Sequence, residues 1–314
     1  MTRKTVIQAK IESSYSVDPG SWAASDAIQV SNPQVTFERD EENRGFVRGY
    51  LGASDFLITA RRAQISFDVE LAGSGSAGTA PKWGPLIRAC GFAETITAGS
   101  RVEYTPISTG FESLALRYVV DGVVHLALGA RGTASMKLDA YGRPMVSFTF
   151  TGIDSVPTAA SVSGSFSGWT RPEAVTPAAN ADLFIGASYA TGALSGGTNT
   201  PMRTFSIDLG NTVSHKLVLN SEAIEITDRA VSGSLAVELS AGDEVSWMSD
   251  IRSGVAASIG FQHGSSAGNI VVLHAGSVQR RNPSVQDYQG NVLFGCDLTM
   301  MPSSGDDELT VCVR

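Results

Sequence analysis

Ile58-Thr59-Ala60-Arg61 runs into Ser66-Phe67-Asp68-Val69-Glu70-Leu71, and the pattern returns as Ile226-Thr227-Asp228-Arg229 running into Ser234-Leu235-Ala236-Val237-Glu238-Leu239. Ile58 to Ile226 and Ser66 to Ser234 are both 168 positions apart. Further on, Trp83-x-x-x-Ile87-Arg88 is echoed by Trp247-x-x-x-Ile251-Arg252, and Asp139-Ala140-Tyr141-Gly142 by Asp287-Tyr288-Gln289-Gly290. The echoes keep one order along the chain. A period this long is not that of a solenoid repeat. It predicts two copies of one domain, with residues 28–154 as the first and 201–314 as the second.

Alternation within the copies sets the class. Ile65, Phe67, Val69 and Leu71 alternate with Ser66, Asp68 and Glu70, as in an antiparallel strand with one buried and one wet face. Leu235, Val237 and Leu239 repeat the pattern. Val146, Phe148 and Phe150 alternate with Ser147, Thr149 and Thr151; their counterparts Phe294, Cys296 and Leu298 alternate with Gly295, Asp297 and Thr299. On these four strands the wet positions are small or acidic and never basic. Each copy also carries one short helical pattern, residues 83–90 and 245–253, the second with Ser246 as a candidate cap and Trp247 and Ile251 on one face. The expected fold class is therefore mainly β: two tandem sandwich-like or barrel-like domains, each with a flanking helix.

Around these domains, residues 1–27 are mixed polar and read as an N-terminal arm. Residues 154–200, rich in Ala, Ser, Gly, Thr and Pro, read as an irregular connector with a short strand at 182–185. Residues 38–48 form a charged, glycine-containing stretch of both signs, expected as an exposed loop or hairpin; its counterpart near 210–222 is less charged. Leu309, Val311 and Val313 alternate into a closing strand or docking arm.

Composition excludes several functions. The chain has 314 residues, room for two ordinary domains. Lys and Arg total 23 against 31 Asp and Glu, a formal charge of −8. No basic stripe of a duplex-binding protein stands out. Three cysteines, Cys90, Cys296 and Cys312, have no metal-ligand spacing and suit a reducing compartment better than a disulfide scaffold. The N-terminal residues lack the apolar core of a secretory signal, and the most apolar stretch, 113–130, is interrupted by Arg117, Asp121 and His125.

No motif carries chemistry. Gly73-Ser74-Gly75-Ser76-Ala77-Gly78 matches a nucleotide-cradle spelling, but Pro81 and Trp83 part the glycines from the following helix and the strands alternate as parallel sheets do not. His125, His215, His263 and His274 share no ligand spacing. Asp68 and Glu70 read as a solvated strand face rather than an acid/base pair, and Asp306-Asp307-Glu308 as a surface charge run. No catalytic residue, metal or cofactor is expected.

The sequence resembles the major tail tube proteins of long-tailed, non-contractile bacteriophages, in the branch of about 300 residues. The resemblance rests on Gln8-Ala9-Lys10-Ile11-Glu12-Ser13-Ser14-Tyr15, Tyr50-Leu51-Gly52-Ala53-Ser54, residues 66–73, Gly84-Pro85-Leu86-Ile87-Arg88-Ala89-Cys90-Gly91-Phe92 and Asp307-Glu308-Leu309-Thr310-Val311, spread over essentially the whole chain. It implies a fold shared with type VI secretion tube proteins and stacked rings whose inner sheets join around a lumen. With two domains per chain, three chains make a ring of pseudo-sixfold symmetry. The implied partners are other copies of the chain, a tape measure protein in the lumen, and tail terminator and distal tail proteins at the ends. DNA passes without specific binding and no membrane is involved. The implied location is the virion tail, after synthesis in the host bacterial cytoplasm. An appended immunoglobulin-like domain is not expected. A capsid decoration or baseplate protein is the alternative with similar composition.

Under this reading Asp68, Glu70, Glu238, Asp297 and Thr149 are candidates to line the lumen, where carboxylates repel phosphate and a lysine-lined bore would hold the genome. Glu38, Arg39, Asp40, Glu41, Glu42, Arg44 and Arg48 are candidates for contacts between rings, as are the terminal arms.

Overall fold

The computed structural model describes residues 4–314. The first part runs β1 (Thr5–Ile11), β2 (Ala27–Ile28), β3 (Ser31–Asn43), β4 (Phe56–Glu70), α1 (Gly84–Arg88), β5 (Phe92–Thr97), β6 (Arg101–Pro106), β7 (Leu114–Val120), β8 (Val123–Asp139), β9 (Met145–Asp154) and β10 (Thr158–Ala159). There follow β11 (Asp182–Ile185), β12 (Ser188–Ala190), β13 (Ala193–Ser195), β14 (Thr198–Asn199), β15 (Met202–Asp208), β16 (Asn211–Val218), β17 (Ser221–Arg229), β18 (Ser232–Val237), α2 (Ala241–Ser253), β19 (Ala256–His263), β20 (Val271–Tyr288), β21 (Asn291–Met300) and β22 (Thr310–Val313).

The central feature is one antiparallel sheet of eight strands in the order β3-β4-β9-β8-β15-β18-β21-β20. Its two ends are built alike. Ser66 stands opposite Thr149 and Phe67 opposite Phe148; Ser234 stands opposite Asp297 and Leu235 opposite Cys296. The middle seam, β8 against β15, pairs Ser135 with Asp208 and Lys137 with Ser206.

A second layer covers the apolar face. It consists of β2-β1-β7-β8 on one side and β5-β6-β22-β20-β19-β11-β14 on the other. The long strands β8 and β20 serve both layers. Each shifts register midway, between Leu128 and Arg131 and between Arg281 and Ser284, where a bulge lets a strand turn from one sheet into the other. Phe67, Phe148 and Phe150 fill the space between layers with ring centroids 5.8–6.1 Å apart. Phe205 meets Phe261 at 6.0 Å, and Trp247 meets Phe294 edge-on at 5.8 Å. Full burial of each such ring contributes up to about 3 kcal/mol.

Two local features differ from the sequence reading, and the hairpin expected at 38–48 takes a definite form. Strand structure begins at Thr5 rather than Ile28: β1 pairs along its whole length with β7, and Ile7, Gln8 and Ala9 are all buried. Consecutive burial removes the alternation that would have revealed it. Met1, Thr2 and Arg3 lie outside the described residues. The second helix starts at Ala241, so Ser246 is internal; the cap is Ser240, whose Oγ accepts from the Asp243 amide at 3.2 Å. Asp243 and Glu244 in the first turn and Arg252 in the last suit the helix dipole. The charged stretch at 38–48 is a hairpin, strand as far as Asn43, with its tip at 44–55.

Candidate assembly surfaces

Across the uncovered face of the eight-stranded sheet a polar row runs from edge to edge, while Ala236 and Leu293 make a small apolar spot near the β20 edge. One row takes a single residue from each strand: Ser31, Asp68, Ser147, Ser135, Asp208, Ser232, Thr299 and Gln279. None is buried. Alternation explains the row, since every second residue on all eight strands points away from the core.

Four of the five wet-face candidates lie on this face. Asp68 accepts from Ser147 Oγ at 2.5 Å and from Asn32 Nδ2 at 2.8 Å. Glu70 pairs with Arg143 at 3.0 Å. Thr149 faces Ser66, and Asp297 accepts from Asn282 Nδ2 at 2.8 Å. Glu238 lies one residue past β18, at the rim, near Tyr141 and Asp182 around a cavity. The whole sheet also holds cations at positions the alternation did not single out. Lys137 pairs with Asp139 at 3.1 Å, Arg281 stands opposite Asp297, and Arg62 pairs with Glu38 at 2.7 Å and Asp40 at 3.0 Å. The face is thus hydrophilic and largely charge-paired rather than uniformly acidic.

The hairpin of β3 and β4 does not gather its charged residues into one patch. Glu38 and Asp40 face Arg62 on the wet side. Arg39 points the other way, into a groove with Phe37, Ile58, Arg61, His125 and Asp154, where burial raises the Asp154 carboxyl above its ordinary range. Glu41 and Glu42 are exposed near the strand end, and Arg44 pairs with Asp55 at 2.7 Å, with Arg48 at 3.8 Å from the same carboxylate. The signal that sequence reading passed over is apolar: Phe46, Val47, Tyr50, Leu51, Phe56, Leu57 and Ile58 are exposed on this hairpin.

The chain thus forms a continuous antiparallel sheet, one face covered and one face wet, with a projecting hairpin at its edge. A family model described as "Phage tail tube protein" matches residues 2–308. The chain belongs to the phage tail tube protein family. No curated protein matches it.

Motifs without chemistry find structural uses in this tail tube protein. The Gly73–Gly78 loop docks on the loop before β20: the Gly75 amide donates to the Gly268 carbonyl at 3.0 Å, and the Gly73 amide to Asn269 Oδ1 at 2.8 Å. A Cβ on Gly73 would sit 1.9 Å from the Gly268 carbonyl oxygen, so close backbone approach explains the glycine. His263 and His274 donate from Nε2 to the carbonyls of Glu173 and Ala187, tying the connector to β19 and β20. His215 meets Glu222 across its own hairpin, and His125 packs on Phe37. Asp306 and Glu308 both accept from Arg229, so the acidic run closes a fold contact. Hydrogen bonds from Ser108, then from Arg229, hold the Asp306 carboxyl below the usual range. Among the described residues, no three His, Cys, Asp or Glu side chains converge as a metal site.

Proposed function

We propose that this chain carries two tube domains and assembles as stacked rings of three copies, forming the hollow tail tube through which the phage genome is ejected. The observation that carries the reading is the eight-stranded sheet with one continuous wet face running through both halves. The matched registers of β4 with β9 and of β18 with β21 support duplication. Three such sheets joined edge to edge would close a barrel on the order of 50 Å across at the backbone, for strands about 4.8 Å apart and tilted by about 40°. Closure removes the free edges that make open sheets aggregate.

In this reading Asp68, Glu70, Thr149 and Asp297 face the lumen, with Glu238 at its rim. Paired charges among Ser and Thr hold water and offer DNA no track of free cations. The tip of the charged hairpin meets the next ring. Tape measure protein fills the lumen before ejection, and terminator and distal tail proteins cap the ends. The chain is made in the host cytoplasm and resides in the virion tail. The test is negative-stain microscopy of concentrated protein together with its solution mass. Hollow tubes or three-chain rings are expected. Non-assembling protein that instead binds capsids or baseplates would overturn the reading in favour of a decoration or baseplate role.

A further inference from the structure

The seam between the halves of this chain has a half-finished twin at the sheet's outer edges. The eight-stranded sheet ends in β3 on one side and in residues 284–288 of β20 on the other, and neither outer edge has a strand partner among the described residues. Duplication makes these two edges the counterparts of the strands that meet inside the chain. Since Gln34 opposes Ser66 as Ser206 opposes Ser234, β3 stands in the first half where β15 stands in the second. Since Ser284 opposes Gly295 as Ser135 opposes Ser147, residues 284–288 of β20 stand where 135–139 of β8 do, one residue displaced by the bulge after Arg281.

Burial differs between the two sites as a missing neighbour would make it differ. Met136, in the finished seam, is 1% exposed, and its counterpart Val285 is 73% exposed. Ile224 and Ile226, on the hairpin that packs across that seam, are 0% and 9% exposed; Phe56 and Ile58, 168 positions earlier, are 53% and 41% exposed. Ile224 is held there through its backbone: its amide donates to Tyr15 Oη and its carbonyl accepts from Arg131.

We infer that β3 of one copy pairs antiparallel with residues 284–288 of β20 in the next, in the register of the β8–β15 seam: Gln34 opposite Gln286, Val35 opposite Val285, Thr36 opposite Ser284. The β3–β4 hairpin then packs Phe56 and Ile58 on the neighbour's second half. Their receiving surface is near Gln279, the counterpart of Arg131, and the 50% exposed Val255, the counterpart of Gly91. The occupant is a second copy because its edge is the one built to match: the same eight strands continue with hydrogen bonds, apolar burial and wet face in phase. The inference rests on the ring reading above and supplies its register.

Cysteine cross-linking tests it. In one chain Gln34 and Gln286 lie on opposite sheet edges, seven strand spacings or roughly 30 Å apart, so a bond between them joins two copies. The native thiols Cys90, Cys296 and Cys312 are buried and burial raises each pKa, Cys296 to about 11, which keeps them protonated and silent. Tubes of Gln34→Cys/Gln286→Cys treated with a mild oxidant are expected to convert most chains to covalent multimers, in a ladder closing at three. Each single variant stays monomeric on a denaturing gel, and Gln34→Cys/Ser284→Cys links at least tenfold less. Thr36→Cys/Ser284→Cys checks the same register should the first pair fold poorly. Tubes in which both in-register pairs stay unlinked, or the shifted pair links better, overturn the register and leave the tube reading intact. Wild-type protein that forms no ring or tube overturns both.

Discussion

Arg229 donates from Nη1 to the carbonyl oxygen of Ile107 at 2.8 Å, joining the second hairpin to a strand end 122 positions earlier in the chain. The same guanidinium pairs with Glu308 and Asp306, so one cation ties the hairpin, the first half and the approach to β22 together. The Arg229 and Glu308 side chains are 11% and 6% exposed. Arg229→Ala leaves Glu308 buried without its charge partner, which costs on the order of 3–5 kcal/mol. Chemical denaturation should show a lower midpoint for Arg229→Ala and a much smaller loss for Arg143→Ala, whose pair with Glu70 is largely exposed.

Acid should loosen the connector through His263. Its Nε2 donates to the Glu173 carbonyl, and its Nδ1 is buried with no partner among the described residues. Burial, only partly offset by that hydrogen bond, depresses its pKa. A depressed imidazole contributes stability that is whole above the unfolded value of about 6.5 and fades as pH falls through the lower folded value. Thermal melts between pH 8 and 5 should fall less steeply for His263→Gln than for wild type. Parallel slopes would remove His263 from the account.

The tip of the first hairpin should be needed for stacking and dispensable for folding. Asn43 pairs directly with Phe56, so residues 44–55 can be replaced by Asn-Gly, a two-residue turn that suits strand twist. The shortened chain is expected to melt normally and to stop at single rings. Full-length tubes from it would place the ring-to-ring contact elsewhere.

Lumen charge should set how freely DNA leaves. Asp68 accepts from a serine and an asparagine and, among the described residues, meets no cation within ion-pair distance, so Asp68→Lys with Glu238→Lys adds positive charge to the bore and its rim. Genome release from particles built with these chains should slow several-fold and recover as salt rises. Unchanged release would mean that another face lines the bore.

How much of this was legible depended on how each strand is buried. Strands β4 and β9 alternate because one face meets core and the other water, and their inward residues read correctly from sequence; on β21 the inward Phe294, Cys296 and Leu298 read correctly too, although Leu293 and Gly295 between them are also buried. β1 was hidden because Ile7, Gln8 and Ala9 are buried in succession. β15 fell next to the connector as a short Met202–Asp208 segment, yet it makes the seam that turns two half-sheets into one. Lys137 and Arg281 escaped notice because they sit on β8 and β20, strands long enough to change layers. The cap of α2 was misplaced because Ser240 precedes the helical apolar spacing by several residues. Exposed Phe56 and Ile58 read from sequence as ordinary strand residues; only their comparison with buried Ile224 and Ile226, their counterparts in the proposed duplication, singles them out.

The most direct measurement is a helical reconstruction of the assembled tube at a resolution that separates strands. The account predicts threefold rings in which each chain gives eight antiparallel strands to one inner barrel, with Asp68, Ser135, Asp208 and Thr299 facing the bore. An inner wall built from the other layer, or a ring that does not hold three chains, would contradict it.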